Sequence, residues 1–349
     1  MDLLRLIPEL PKVDLHVHLD GCVKPSTLLD LAEWQGVSLP AADEAGLLKF
    51  VQVGGDCSSL TEYLERFEIV LPFLQTEEAL ERVACEAVEQ ASAHRVRYLE
   101  VRFAPRLHAQ AGLSADLAIG HVIRGLNRGE SRYDVKARAI AICMRNHSPG
   151  DNLEVVEAAA RYYGKGLVAI DLAGDEAAYP ASLFREVFER ARERGIPYTI
   201  HAGEAAGADS IEEAVLRLGA QRIGHGVRLK ENERLLNIVR ERKIPLELCP
   251  TSNIQTKAVA GWEAYPIREY FERGLTLTVN TDNPGVSGTD ITKEYVAIAE
   301  KFGFTLDEIV ALLRNGIEAS FLEPGEKAEL REDFERHLAK LGVLEFPSV

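Results

Sequence analysis

The sequence KVDLHVHLDG, residues 12–21, determines how the rest of the chain is interpreted. Apolar and polar residues alternate from Val13 to Leu19, which predicts a β-strand whose successive side chains point to opposite faces. His16 and His18 are two residues apart and therefore lie on the same face of that strand. A single histidine in a strand is usually a hydrogen-bonded core residue, whereas two imidazoles on one rigid face can form half of a metal site.

Further apolar runs follow this strand, and each comes after a segment with helical periodicity. These runs are VRYLEVRFAP, VKARAIAICMR, GLVAIDLAGDE, IPYTIHAGE, RIGHG, IPLELCPTSN and LTLTVNTDN. Near-continuous apolar strands separated by helices predict a parallel sheet covered on both faces, and eight of them predict a closed (β/α)8 barrel of the TIM type. We therefore expect one domain over residues 1–349, because such a barrel commonly needs about 250 residues or more.

Residues from about 37 to 75 interrupt this alternation after the first strand, and residues 37–59 are expected to be irregular. An apolar stripe at helical spacing follows, formed by Leu60, Tyr63, Leu64 and Phe67. Such a stripe ordinarily packs into a core. The alternative is an inserted helical lid over a pocket.

The composition restricts the class of partner. A net charge of −15 argues against a nucleic-acid polymer or an anionic membrane, because both need basic patches, and favours a small neutral ligand. No apolar run is long enough to span a bilayer, and the first residues do not match a secretory signal. Five cysteines without a C-x-x-C pair fit a reducing compartment, so a cytoplasmic protein is predicted. The oligomeric state is not indicated.

Active sites of such barrels lie where the strands end, so polar residues at those positions are the candidates. They are His16, His18, Asp20, Asp171, Gly174, Asp175, His201, Glu204, His225, Asp282 and Asn283. Three histidines and one carboxylate, His16, His18, His201 and Asp282, can bind one zinc ion and leave a position for water, whose pKa then falls to about 7. This predicts hydrolytic chemistry.

Two of the candidates stand outside that ligand set. Glu204 lies beyond its strand and is free to carry a proton, since a carboxyl group facing an apolar pocket has a raised pKa. His225 can hold or deprotonate the attacking water, or Gly224 and Gly226 beside it can simply mark a tight turn.

The segments HVHLDG, DLAGDE, HAGE, GHG, CPTSN and NTDN, in this order and spacing, resemble the adenosine deaminase family of the amidohydrolase superfamily over nearly the whole chain. The resemblance implies that His16, His18, His201 and Asp282 bind zinc. It implies that Glu204 protonates purine N1 and that His225 orients or activates the water that attacks C6.

The same resemblance implies the substrate contacts. Asp20 matches the residue that accepts the ribose 5′-hydroxyl, and Gly174 matches the backbone donor to purine N3. The stripe of Leu60, Tyr63, Leu64 and Phe67 matches the family's apolar lid. Many members carry a second aspartate where this chain has Asn283, and an amide can donate to purine N7 without holding a titratable proton.

The expected reaction is therefore zinc-dependent hydrolysis of adenosine and 2′-deoxyadenosine to inosine and 2′-deoxyinosine plus ammonia. Free adenine is an alternative substrate, although related enzymes for the base tend to carry Glu where Asp20 stands. A 5′-extended nucleoside such as aminodeoxyfutalosine is another. Two alternatives belong to other classes: a metal-containing barrel that binds nucleosides without turnover, and a two-metal phosphoesterase.

Overall fold

The computed structural model describes residues 2–54, 57 and 59–343. The single-domain prediction extends over residues 1 and 344–349, and the lid prediction over residues 55, 56 and 58, which lie outside the described residues. Within the described residues the strands are β1 (Lys12–His18), β2 (Val96–Phe103), β3 (Lys136–Met144), β4 (Leu167–Ala173), β5 (Thr199–Ala202), β6 (Arg222–His225), β7 (Leu246–Leu248) and β8 (Leu277–Val279).

The strands pair in parallel as two sheets in the described part of the chain, β1-β2-β3-β4 and β5-β6-β7-β8. Isolated parallel bridges join the sheets at both edges: Ile170 in β4 pairs with Tyr198 before β5, and Val17 in β1 pairs with Asp282 after β8. The strands thus follow one another around a ring with two weakly bonded seams. The predicted parallel α/β fold is confirmed.

The helices before β2 are α1 (Leu3–Leu6), α2 (Pro25–Gln35), α3 (Glu44–Val51), α4 (Leu60–Leu64), α5 (Phe67–Val70) and α6 (Glu77–Ala93). Those between β2 and β8 are α7 (Ala115–Glu130), α8 (Pro149–Tyr162), α9 (Arg185–Glu193), α10 (Ala208–Glu212), α11 (Glu233–Glu241), α12 (Pro250–Gln255) and α13 (Ile267–Glu272). The chain continues through α14 (Pro284–Ser287), α15 (Ile291–Phe302), α16 (Leu306–Ala319) and α17 (Pro324–Lys340).

The insertion after β1 is more helical than expected. The prediction that residues 37–59 are irregular is wrong for α3, where the Asp43 carboxylate accepts a hydrogen bond from Gly46 N at 2.7 Å and caps the helix. Leu47 and Val51 of α3 are buried, so two apolar residues one turn apart suffice for this helix to pack beside α2 and α5. The apolar stripe is divided between α4 and α5 rather than carried by one helix.

The ring contains buried charged residues as well as an apolar core. Arg102 of β2, Arg222 of β6 and Glu247 of β7 have at most 1% of their surface exposed. A buried charge is tolerated when it is paired, and these three form ion pairs with one another and with neighbouring carboxylates. The described helices include none that is long and apolar enough to cross a membrane.

Candidate active site

Four strand ends bring histidines and a carboxylate together at one end of the ring. The rings of His16 and His201 have centroids 4.6 Å apart, and those of His16 and His225 are 4.8 Å apart. His18 lies 5.4 Å from both His16 and His201 by the same measure, and its Nε2 is 3.3 Å from Asp282 Oδ1. The structure therefore brings together every metal ligand that the sequence suggested.

Buried acceptors and donors fix the orientation of these groups. Glu247 Oε2 lies 2.8 Å from His16 Nδ1, and Asp171 Oδ2 lies 3.0 Å from His201 Nδ1. Ser252 Oγ donates to Asp282 Oδ2 at 2.6 Å. A carboxylate on one imidazole nitrogen fixes the ring's tautomer and directs the other nitrogen toward a metal, which is the usual support of a metal-binding histidine.

A test of the metal fit comes from an unpaired atom. His16 Nε2 is buried without a hydrogen-bond partner among the described residues, and it lies 3.4 Å from Asp282 Oδ1. Ligand atoms of His16, His201 and His225 lie within 4.8 Å of one another, and so do those of His16, Cys249 and Asp282. An unsatisfied imidazole nitrogen that faces a carboxylate is the environment expected around a divalent cation. The imidazole nitrogens around His16 and the carboxylate of Asp282 therefore fit a divalent metal ion.

One guanidinium group connects the two supporting carboxylates. Arg102 donates to Asp171 Oδ2 at 3.0 Å and to Glu247 Oε2 at 2.8 Å, and it also donates to Leu15 O at 2.7 Å. Although burial raises the pKa of Asp171, its neighbours His201 and Arg102 hold that pKa well below its ordinary value. Burial likewise raises the pKa of Glu247, but Arg102 and Arg222 hold it well below its ordinary value, so both carboxylates are kept ionised beneath the histidines.

The tautomer of His225 follows from its neighbour Asn253. Cys249 N and Tyr265 Oη donate to Asn253 Oδ1 at 3.4 and 3.1 Å, which places the amide nitrogen 3.0 Å from His225 Nδ1. Because this Nδ1 accepts a hydrogen bond, the ring proton of the neutral imidazole resides on Nε2. Burial lowers the pKa of His225 well below its ordinary value, so the ring is neutral. A protonated Nε2 has no lone pair for a metal.

His225 and Asp282 share an uncommon backbone conformation. Their φ angles are 63° and 62°, in the left-handed region that is unfavourable for residues with a side chain. Such strained residues persist where the surrounding structure holds them, and they cluster at functional sites. The strain aims both side chains into the same space at the ends of β6 and β8.

Glu204 lies beside His225, with Oε2 3.5 Å from His225 Nε2. Burial raises the pKa of Glu204 to about 8, and the nearby negative charge of Asp282 adds to this. The carboxyl group therefore carries a proton at neutral pH and can donate it.

A cavity of about 230 Å³ opens above this cluster. The apolar side chains of Leu60, Tyr63, Leu64 and Phe67 line one wall, so the structure places the stripe over the cavity rather than in the main core. Polar residues that the sequence suggested also line it: Asp20, Gly174, Glu204, His225, Asp282 and Asn283. Burial raises the pKa of Asp20 to about 6.

Two further contacts position Asn283, which lines the cavity. Asn283 Nδ2 donates to Asp282 Oδ1 at 2.8 Å, and its second amide hydrogen is not used by that bond. A Cβ on Gly21 would lie 2.3 Å from Asn283 Oδ1, so only glycine allows the approach of the two loops. Asp175 is exposed and accepts a hydrogen bond from Ala178 N, outside the cavity.

Several supporting residues were not identified from the sequence: Arg102, Glu176, Glu247, Ser252 and Asn253. A signal existed for two of them, because Arg102 and Glu247 are charged residues within apolar strands, and a buried charge needs a partner. Ser252 and Asn253 belong to the CPTSN segment but carry no distinguishing spacing. Glu176 ends the DLAGDE segment, but it binds only backbone groups in the described structure, so the sequence does not indicate its partners.

Comparison with known proteins agrees with this geometry. A family described as adenosine deaminase matches residues 11–337. An adenosine deaminase of Clostridium botulinum strain Okra is 42% identical over 93% of this chain and 96% of its own length. The structure of an adenine deaminase from Arthrobacter aurescens is 28% identical with a TM-score of 0.87, over 94% of this chain and 99% of that one. A zinc-bound amidohydrolase of Burkholderia ambifaria is 25% identical with a TM-score of 0.88, over 98% and 95%.

Proposed function

We propose, from the premise that this chain belongs to the adenosine deaminase family, that it hydrolyses adenosine and 2′-deoxyadenosine to inosine and 2′-deoxyinosine with release of ammonia. The observation that carries the proposal is the convergence of the histidine and carboxylate cluster, the buried Glu204 carboxyl group and an apolar-walled cavity at one end of the ring. A binding protein without catalysis would have no use for a protonated carboxyl group beside a metal site.

A single zinc ion would be held by His16, His18, His201 and Asp282. When bound there, zinc lowers the pKa of water and makes a hydroxide nucleophile available at neutral pH. His225 is not assigned as a ligand, because Asn253 leaves the ring proton on its Nε2.

Glu204 and His225 take different parts in the reaction. The protonated carboxyl group of Glu204 donates its proton to purine N1, which makes C6 more electrophilic, and the resulting carboxylate can accept a proton from the attacking water. His225 donates a hydrogen bond from Nε2 to the attacking oxygen and orients it toward C6. Addition at C6 forms the new C–O bond. Glu204 then passes the proton taken from water to the amino nitrogen, cleavage of the C–N bond releases ammonia, and the C6 hydroxyl proton returns to Glu204 as the C6=O bond of inosine forms.

The cavity wall supports a nucleoside as substrate. Asp20 would accept the ribose 5′-hydroxyl, the backbone N–H of Gly174 would donate to N3, and Asn283 would donate its second amide hydrogen to N7. The residues that line the cavity include no lysine or arginine in the described structure, so a 5′-phosphate would meet Asp20 without a compensating cation. Leu60, Tyr63, Leu64 and Phe67 would cover the bound purine and exclude water. A cytoplasmic location and a single domain remain predictions.

The proposal is tested by ultraviolet absorbance of the purine band when zinc-loaded protein receives adenosine, 2′-deoxyadenosine, adenine or AMP separately. Conversion of the two nucleosides alone is the expected result. Conversion of adenine alone would contradict the role of Asp20, and conversion of AMP would contradict the argument from the missing cation. If none of the four reacts, the nucleoside assignment fails, and a 5′-extended nucleoside is the next compound to test.

A further inference from the structure

The carboxylate of Glu176 is bound by four consecutive backbone amides. Its Oε1 accepts from Gly203 N at 2.6 Å, and its Oε2 accepts from Glu204, Ala205 and Ala206 N at 3.0, 2.7 and 2.9 Å. Only 3% of Glu176 is exposed. Convergent N–H groups of this kind form a concave anion site, which in other proteins commonly holds a phosphate. Here a side chain of the same chain fills the site.

The backbone after β5 is shaped to make this site. Gly203 has φ of 72°, in the left-handed region, so the chain turns sharply and directs the following N–H groups inward. A Cβ at this position would lie 2.4 Å from Ile211 Cδ1. All four hydrogen bonds that the described residues give this carboxylate come from backbone amides of residues 203–206, so one side chain binds four consecutive residues of the loop.

This contact crosses a seam of the ring. Glu176 follows β4 and residues 203–206 follow β5, and the two strands are joined by a single bridge at Ile170 and Tyr198. Two other links cross the same seam: Asp171 Oδ2 of β4 lies 3.0 Å from His201 Nδ1 of β5, and Arg145 Nη2 donates to His201 O at 2.7 Å. Both of these links end at His201, whereas the Glu176 carboxylate binds the loop after β5.

We propose that Glu176 is a positioning residue that sets the spacing between Gly174 and Glu204 across this seam. The proposal rests on the proposed function, in which Gly174 contacts N3 and Glu204 contacts N1 of the same purine ring. Glu176 is two residues after Gly174, and its carboxylate binds the backbone N–H of Glu204 itself. One carboxylate thus holds both halves of the contact to the six-membered ring at a fixed distance.

The variant Glu176→Gln tests this role. It keeps the shape of the side chain but replaces one oxygen by an NH₂ group, which cannot accept a hydrogen bond from an amide. We expect hydrogen exchange of amides 203–206 to accelerate about tenfold or more. We expect kcat for adenosine to fall about 10- to 100-fold, because a displacement of about 1 Å at a catalytic group costs that much, while KM changes less than about threefold.

Asp175→Asn is the matched control. Asp175 is the residue next to Glu176, and its exposed carboxylate does not bind residues 203–206, so this variant removes one negative charge without removing the contact. We expect it to keep the exchange rates and kcat of the unmodified chain. Glu176→Asp retains the charge but is one methylene shorter, so it should give intermediate values and serves where the glutamine variant does not fold.

The proposal would be overturned if either Glu176 variant had the same kcat as the Asp175→Asn control and the same exchange rates for amides 203–206. A merely structural role would lower the midpoint of thermal unfolding and leave kcat unchanged below it, which also contradicts positioning. If the unmodified chain does not deaminate adenosine, the proposed function fails, but the exchange comparison still shows whether Glu176 holds this segment.

Discussion

Replacing Arg102 by methionine should destabilise the metal-free protein strongly. Arg102 has no exposed surface, and it bonds to two carboxylates, Asp171 and Glu247, that are themselves fully buried. Removing one partner of a buried ion pair leaves an uncompensated charge and costs about 3–5 kcal/mol. We therefore expect the free energy of unfolding at pH 7, from urea titrations followed by circular dichroism, to fall by about that amount.

The loss should depend on pH with a defined sign. Although burial raises the pKa of Asp171, His201 and Arg102 hold it below its ordinary value, so this carboxylate stabilises the fold above its unfolded pKa of about 4 and ceases to do so as pH falls. Without Arg102 the pKa of Asp171 rises. The difference in stability between the unmodified chain and Arg102→Met should therefore be largest at pH 7 and shrink toward pH 4.

Arg97→Met provides the control on the same strand. Arg97 points to the opposite face of β2 and pairs with Asp333 and the largely exposed Asp134, so its partners keep contact with water and its loss should cost less than the loss of Arg102. We also expect zinc affinity to fall about 10- to 100-fold in Arg102→Met alone, since the carboxylates behind His16 and His201 lose their common anchor. Equal losses of stability in the two variants, with unchanged zinc affinity, would refute the reasoning.

Three predictions concern the reaction itself. Glu204→Gln should keep its metal content by elemental analysis and lose turnover by about 10²- to 10⁴-fold, and retained turnover would remove Glu204 from the acid role. Asn283→Asp should remain active at low pH but lose turnover as pH rises through the pKa of the new carboxyl group, because only the protonated carboxyl group can donate a hydrogen bond to N7. A pH profile of turnover equal to that of the unmodified chain would contradict the N7 contact. Dialysis against a chelator should abolish turnover and added zinc should restore it, whereas full activity with less than about a tenth of an ion per chain would exclude a required metal.

Strand periodicity predicted which side chains lie together at one end of the ring, whereas the roles assigned to them came from the family resemblance. His16 and His18 could be placed on one face because alternation in a strand is fixed by backbone geometry. His201, His225 and Asp282 could be placed beside them because parallel strands of a ring end on the same side. Both predictions need only the order of strands and helices along the chain, which the apolar runs indicate.

The supporting groups could not be predicted in the same way. The position of Glu176 depends on four backbone N–H groups, and every residue type except proline carries one. The tautomer of His225 depends on which way the Asn253 amide faces, and this is decided by the backbone N–H of Cys249. Helix α3 was missed because its packing rests on Leu47 and Val51 rather than on a long periodic stripe. Each of these features is determined by contacts in the folded structure and not by a pattern in the sequence.

The seam between β1 and β8 has a consequence for the order in which the protein folds. Leu15 N reaches Asn280 Oδ1 across this seam over 265 residues of chain, whereas the seam between β4 and β5 joins strands that are neighbours in sequence. Closing the longer loop costs about 2 kcal/mol more in chain entropy, so we expect it to close last. That step brings Asp282 beside His16 and His18. A nascent or partly folded chain therefore lacks the complete ligand set, and capture of the metal coincides with completion of the native topology.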